Sequence, residues 1–281
     1  GCGNSASTST DSQNSGAEST GVSGAITVIS REDGSGTRGA FIELTGVEEK
    51  NDAGEKIDNT TADAEIANKT DVVLTSVAGN EKAIGYISLG ALNDTVKAVK
   101  VDGAEATVDN VKAGAYKLSR PFNIATKGEP TGVAKDFINF ILSKEGQAVV
   151  TDNKYIAVND AAESFVSDGS SGQIAVGGSS SVSPVMEKLI EAYKSVNPNA
   201  SIDLQTSDST SGMTGAMDGT FAIGMASREL KDEEAAQLTG TAIALDGIAV
   251  IVNPANTIDE LSMDQIKSIY VGDITDWGDL A

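Results

Sequence analysis

The chain predicts an α/β fold of layered strands and helices, organised as two domains. Three observations carry this. β-rich runs alternate with runs of helical spacing, and the turns from strand into helix are rich in glycine and small hydroxyl residues. The third is size: 281 residues, 40% apolar and 22% charged, exceed one small core and suit two domains of ordinary size. No short repeat is present, which argues against a solenoid.

Composition removes much chemistry. With 41 Asp+Glu against 20 Lys+Arg the charge sum is 20 − 41 = −21, unsuited to a nucleic-acid backbone. Zero His excludes Ser-His-Asp and Cys-His arrangements and His-ligated metals, and a single Cys permits no intrachain disulfide. No metal and no cofactor are expected.

Residues 1–24 are nearly all Ser, Thr, Gly, Asn and other small residues with no apolar period, a composition that predicts a flexible tether. Ala25–Ser30 reads as a strand, ending at the turn Asp33-Gly34-Ser35-Gly36, and Thr37–Leu44 as a helix. Asp71–Val77 and Ala83–Leu89 read as strands around a Gly79-Asn80 turn, and Val96–Val101 as another. Arg120–Ala125 contains a proline, so it reads as a crossover or edge strand. Apolar residues at 133, 134, 137, 138, 141 and 142 predict one packed helix over Val133–Val150. After the polar stretch Ser164–Gly172 comes a strand, Gln173–Val176. Ser183 reads as a helix cap and Pro184 as the first helical residue, with Val185, Leu189, Tyr193 and Val196 on the buried face. Ser201–Thr206, Thr220–Ala226 and Ala242–Val252 are strand-like, and Leu261–Ile269 is an amphipathic helix before the terminal Gly272–Leu280.

Three turns share one design: Asp33–Thr37 (DGSGT), Gly178–Pro184 (GSSSVSP) and Ser207–Gly212 (SDSTSG). Each joins a strand to a helix start, where about four backbone N–H groups lack partners and roughly half a positive charge accumulates. Glycine lets the backbone approach a ligand and Ser/Thr add hydroxyl donors, so such ends suit a tetrahedral oxyanion. One such turn alone is ordinary helix capping; several in one chain, one beside Arg31, point to anion binding. The overall negative charge does not oppose this. Charges spread over the surface are screened beyond about 8–10 Å, whereas donors in a dry cleft act at short range and low dielectric.

Ser30–Phe41 (SREDGSGTRGAF) resembles the signature of phosphate ABC transporter substrate-binding proteins. The resemblance extends through Ala83–Leu92, Tyr116–Phe122, Phe137–Gln147, Gly178–Pro184, Ile223–Leu230 (IGMASREL), Asp246–Pro254 and Ile269–Trp277 (IYVGDITDW). The order differs from the family's, in which GSSSVSP opens the protein and the GDITDW-like segment leads into SREDGSGT. The chain therefore resembles a circular permutation, with Ala281 expected near Ala25 and Ser164–Gly172 bridging the usual ends.

The resemblance implies a two-lobed, type II periplasmic-binding-protein-like fold with a hinge. One lobe would be residues 25–118 plus 253–281, carrying SREDGSGT; the other would be 119–252, carrying GSSSVSP and SDSTSG. It implies phosphate-binding residues Arg31, Ser35, Gly36 and Thr37 from the first, and Ser180, Ser181, Ser209 and Ser227 from the second, with Arg228 the alternative to Ser227. Asp33 would hold Arg31 in place. Phosphate keeps a proton near neutral pH where sulfate does not, so a carboxylate must accept it; Asp208 and Glu229 are the candidates. Arg38 and Arg120 read as structural or rim charges, and Trp277 as packing.

The function so implied is a solute-binding protein, not an enzyme: it captures inorganic phosphate and delivers it to an ABC-type membrane permease. The implied state is a monomer, extracytoplasmic, tied to the bacterial membrane through lipidated Cys2 at the head of the tether. The rivals are a binder of another oxyanion such as sulfate or molybdate, and a phosphoryl-transfer enzyme. The latter lacks GxxxxGK[ST].

Overall fold

The computed structural model describes residues 22–280. Cys2, residues 1–21 of the expected tether and Ala281 lie outside the described residues.

The first lobe begins with β1 (Thr27–Arg31) and α1 (Gly36–Thr45), whose cap is Ser35 and whose end is Gly46 at φ +83°. The hairpin β2 (Glu48–Lys50) and β3 (Lys56–Asp58) follows, then β4 (Glu65–Ala67), α2 (Thr70–Ala78) and β5 (Ala83–Ser88). Short strands β6 (Lys97–Ala98) and β7 (Lys100–Val101) and helix α3 (Val108–Lys112) lead to β8 (Ser119–Thr126), where the chain enters the second lobe. That lobe holds α4 (Gly132–Ile141), α5 (Lys144–Asp152), β9 (Gly172–Ser179), α6 (Ser183–Val196), β10 (Ala200–Ser207), α7 (Ser209–Asp218), β11 (Ile223–Ala226) and α8 (Asp232–Ala235). The long β12 (Thr239–Val252) returns the chain, and β13 (Glu260–Leu261) and α9 (Met263–Tyr270) complete the first lobe.

One sheet runs through both lobes in the order β10-β9-β11-β8-β12-β5-β1-β4, with β6 also on β12. β12 is shared: Thr239–Gly247 pairs with β8, and Ile248–Val252 pairs with β5. The cores divide accordingly. Ile243 and Ala244 pack with Phe122, Phe137 and Leu189, whereas Ile248–Val252 pack with Phe41, Tyr86 and Tyr270. The return between lobes thus falls inside the strand, at Gly247–Ile248 rather than at the expected boundary of 252, where Asp246-Gly247 breaks the apolar run. Ile156 adds a third strap, exchanging backbone hydrogen bonds of 2.9 Å with Leu245. In the first core Phe41 stacks on Tyr86, centroids 3.9 Å apart. Gly24–Ile26 lie along Thr275–Trp277, with Ile26 N–H donating to the Thr275 carbonyl at 2.8 Å, and Trp277 is buried with its indole N–H on the Lys82 carbonyl.

Some elements differ from expectation. Asp71–Val77 is helix α2, not a strand: Val73, Leu74 and Val77 are buried together at helical spacing, and packing overrides β-branched preference. The helix expected over Val133–Val150 is two helices, broken where Ser143 caps α5 by accepting from Gly146 N–H at 3.1 Å. Ser183 is already helical, and Val196 is exposed, one turn past the buried Tyr193. Val96–Val101 is split into β6 and β7 around Val99, whose N–H turns to the Val250 carbonyl at 2.9 Å. Ser143→Ala should therefore cost about 1 kcal/mol in urea unfolding, the usual worth of a helix cap, and leave ligand affinity unchanged.

Candidate anion-binding cleft

In the second lobe β10, β9 and β11 run parallel, so their carboxyl ends reach one edge of the sheet together. That edge is where open α/β sheets bind ligands, because helix N-termini also gather there. Here it presents Ser179–Ser181 after β9, Asp208–Thr210 after β10 and Ser227–Arg228 after β11. In the first lobe β1 is parallel to β4 and β5, and its carboxyl end opens into the DGSGT turn and α1.

Hydroxyls lock the second-lobe loops to one another. Ser179 Oγ donates to Ser227 Oγ at 2.9 Å, Ser209 and Ser227 hydroxyls are 3.3 Å apart, and Ser227 N–H donates to Ser209 Oγ at 3.0 Å. Ser181 N–H donates to Ser179 Oγ at 3.2 Å. This close assembly needs bare backbone beneath it. Gly178, at φ +137°, lies against Gly212 in the first turn of α7, where an added Cβ on Gly178 would come within 2.9 Å of the Gly212 Cα.

The first lobe closes onto these loops. An added Cβ on Gly36 would meet Ser181 Cα at 3.2 Å, and Ser181 Oγ donates to the Gly36 carbonyl at 3.3 Å. DGSGT and GSSSVSP therefore face each other. Between the lobes lies a cavity of about 160 Å³, below the range of about 300–1,000 Å³ that takes drug-sized ligands. Ser180, Ser181, Ser209 and Ser227 all line it, and Gly39 and Glu43 of α1 line the opposite wall.

The charged residues are arranged differently from expectation. Arg31 is not among the lining residues; its Nε donates to Glu32 at 2.9 Å and its Nη1 to Thr70 at 3.4 Å. Asp33 does not hold Arg31. It faces Arg38 at 3.4 Å, because Arg38, in the first turn of α1, folds back to donate to the Arg31 carbonyl at 2.6 Å and to Asp58 at 2.7 Å. Ser35 uses its hydroxyl to cap α1, accepting from Arg38 N–H at 3.1 Å, and Thr37 lies in the same first turn, half-buried. Of the candidate carboxylates, Asp208 lines the cavity and caps α7 through Ser211 N–H at 2.7 Å, whereas Glu229 accepts from Asn123 at 3.0 Å outside it.

Lys56, Arg120 and Arg228 are the lining cations, and Glu43, Glu48 and Asp208 the lining carboxylates. Arg228 is gripped by both oxygens of Glu234 at 2.8 and 3.1 Å, and that bond holds the buried Glu234 carboxyl below its usual range. Burial pushes Glu48 up, with Lys56 pulling the other way. Arg120, read from the sequence as a structural or rim charge, lines the cavity. It is buried, the second residue of β8 where the lobes join, and its position beside Pro121 near the start of a strand gave no ligand-like signal.

A lobed sheet with an anion-sized cleft at its strand ends is the architecture of a solute-binding protein. A family model described as PBP superfamily domain matches residues 9–145 and 164–281, and the chain belongs to this family. It is 53% identical over 260 residues to Phosphate-binding protein PstS 2 of Streptococcus agalactiae serotype V, covering 92% of this chain and 88% of that one. It is 34% identical to Phosphate-binding protein PstS of Bacillus subtilis over 137 residues, 48% of this chain and 42% of that one. The crystal structure of a phosphate-binding protein of a phosphate ABC transporter from Streptococcus pneumoniae superposes with a TM-score of 0.86 at 50% identity, covering 92% of this chain and 100% of that one.

Proposed function

We propose that this protein captures inorganic phosphate between its lobes and delivers it to the permease of an ABC transporter. The observation that carries this is the apposition of Gly36 and Ser181, which brings the N-terminal turn of α1 to the rim of a cavity walled by Ser180, Ser181, Ser209 and Ser227. The names of relatives at 50–53% identity support phosphate as the anion. Backbone N–H groups at helix starts and serine hydroxyls distribute the neutralisation of the anion, so no countercharge is needed for each negative charge. The protein is a binder and not an enzyme; lobe closure, with no bond made or broken, is the working step. Asp208, the candidate carboxylate at the cavity, accepts the proton that phosphate carries and sulfate lacks. Arg31, Ser35, Gly36 and Thr37 contribute from the first lobe as it tightens around the ligand, Arg31 exchanging Glu32 for the anion.

Cys2 serves as the lipidated anchor, holding a monomeric extracytoplasmic protein on the membrane by a polar tether. None of the described helices is long and apolar enough to cross a membrane itself. The permuted segment order belongs to a branch of the family. A match over 260 residues to the Streptococcus agalactiae protein, against 137 residues to the Bacillus subtilis protein, supports an order shared with the first. The pairing of Gly24–Ile26 with Thr275–Trp277 is the closeness of ends that such rewiring requires.

Competition calorimetry tests the assignment. Phosphate should bind with one site per chain and resist equimolar sulfate and molybdate; displacement by sulfate at equal concentration contradicts it. Gly36→Val should weaken phosphate binding at least tenfold with little change in thermal stability, because a branched side chain there meets the Ser181 backbone and holds the lobes apart.

A further inference from the structure

Arg120 combines features that no other lining cation shares. It is 7% exposed, its Nη2 donates to Ser181 Oγ at 3.0 Å, and its Nη1 is paired with Glu43, which α1 carries across the cleft from the opposite lobe. Its Nε is buried with no hydrogen-bond partner among the described residues. Arg228 is satisfied within its own lobe by Glu234, and Lys56 stands on the exposed strand β3. Arg120 is thus a buried guanidinium at the anion cavity, with a donor to spare and one carboxylate, Glu43, hydrogen-bonded to it; Asp246 lies beside it across the β8–β12 ladder. The Glu43 carboxylate is borne by a side chain 43% exposed, which can swing into water at little cost, whereas Arg120 cannot leave.

We propose that Arg120 is an anion-binding cation of the cavity and that Glu43 is its built-in competitor, a carboxylate resting on the guanidinium where a phosphate oxygen binds. This rests on the phosphate reading above. A guanidinium offers five N–H donors in a planar fork suited to carboxylate and phosphate alike, so the exchange keeps the same contacts. Glu43 thereby sets affinity: each phosphate bound must displace it, and the protein trades tightness for ready release.

Phosphate calorimetry at low salt on wild type, Glu43→Gln, Arg120→Gln, Arg120→Lys and the Glu43→Gln/Arg120→Gln pair tests this, with thermal unfolding of each as the folding control. Glu43→Gln should bind phosphate at least about fivefold more tightly. Arg120→Gln should bind about 10- to 100-fold more weakly, the loss of a charge-assisted bond, with Arg120→Lys between. In the pair, the Glu43→Gln gain should vanish, since the competitor has nothing left to compete for. Equal or weaker binding by Glu43→Gln overturns the proposal and makes Glu43 a latch between the lobes. Unchanged affinity in Arg120→Gln, or in Arg120→Lys if the former does not fold, overturns it as well. Wild type that binds no phosphate removes the functional reading instead, a result distinct from either.

Discussion

Gly178→Ala should cost about 3–5 kcal/mol in denaturant unfolding and abolish phosphate binding at concentrations that saturate the wild type. Two independent penalties add. The residue sits at φ +137°, which L side chains rarely adopt, and a Cβ there would press on the Met225 carbonyl oxygen, with Met225 N at 3.0 Å and Gly212 Cα at 2.9 Å. All of these are backbone atoms of β11 and α7, so none can rotate away. Relief requires α7 to lift from the sheet, which pulls Ser209 away from Ser227 and Ser179 and dissolves the hydroxyl network. Wild-type stability and affinity in this variant would mean that the close contact of α7 with β9 does not set the loops.

Asp246→Asn should stabilise the protein strongly at pH 8 and scarcely at pH 4. Burial pushes the Asp246 carboxyl from 3.8 up to about 7, against the opposing pull of Arg120, its neighbour across the β8–β12 ladder. Tyr155, also facing it, is pushed up by burial and by the Asp246 charge. The folded state therefore holds this proton more firmly than the unfolded chain. Stability from the protonated carboxyl is complete below about pH 4 and is lost as pH rises through about 7. That rise corresponds to about 4 kcal/mol, so the Asn variant should gain up to that amount on wild type between pH 4 and 8. Urea unfolding of both proteins across this range measures it; a difference constant with pH contradicts the burial of a charged Asp246.

The strand-end turns were legible in the sequence because their chemistry is local: small hydroxyl residues and glycine at a helix start mean the same thing wherever the chain folds. DGSGT, GSSSVSP and SDSTSG each lie at the carboxyl end of a strand; residues of the latter two line one cavity, and DGSGT meets them through Gly36 against Ser181 without lining it. Charged partners were not legible, since pairing is decided across the fold. Asp33 lies two residues from Arg31 yet faces Arg38, which folds back over the turn, and Arg120 meets Glu43 from the other lobe. The helix α2 was misread for a related reason. Its run DVVLTSV is β-branched, and only the sheet beneath Val73 and Val77 reveals that one helical face is wanted. The division of β12 between two cores is marked in ALDGIAVIV by Asp246-Gly247, but nothing local names the partner strand that changes there.

A crystal structure at saturating phosphate tests most directly whether donors from both lobes converge on one anion. Tetrahedral density between the Ser181, Ser209 and Ser227 hydroxyls and the first turn of α1 is the expected result. An anion bound elsewhere, or one contacted by a single lobe with Gly36 drawn away from Ser181, would contradict it.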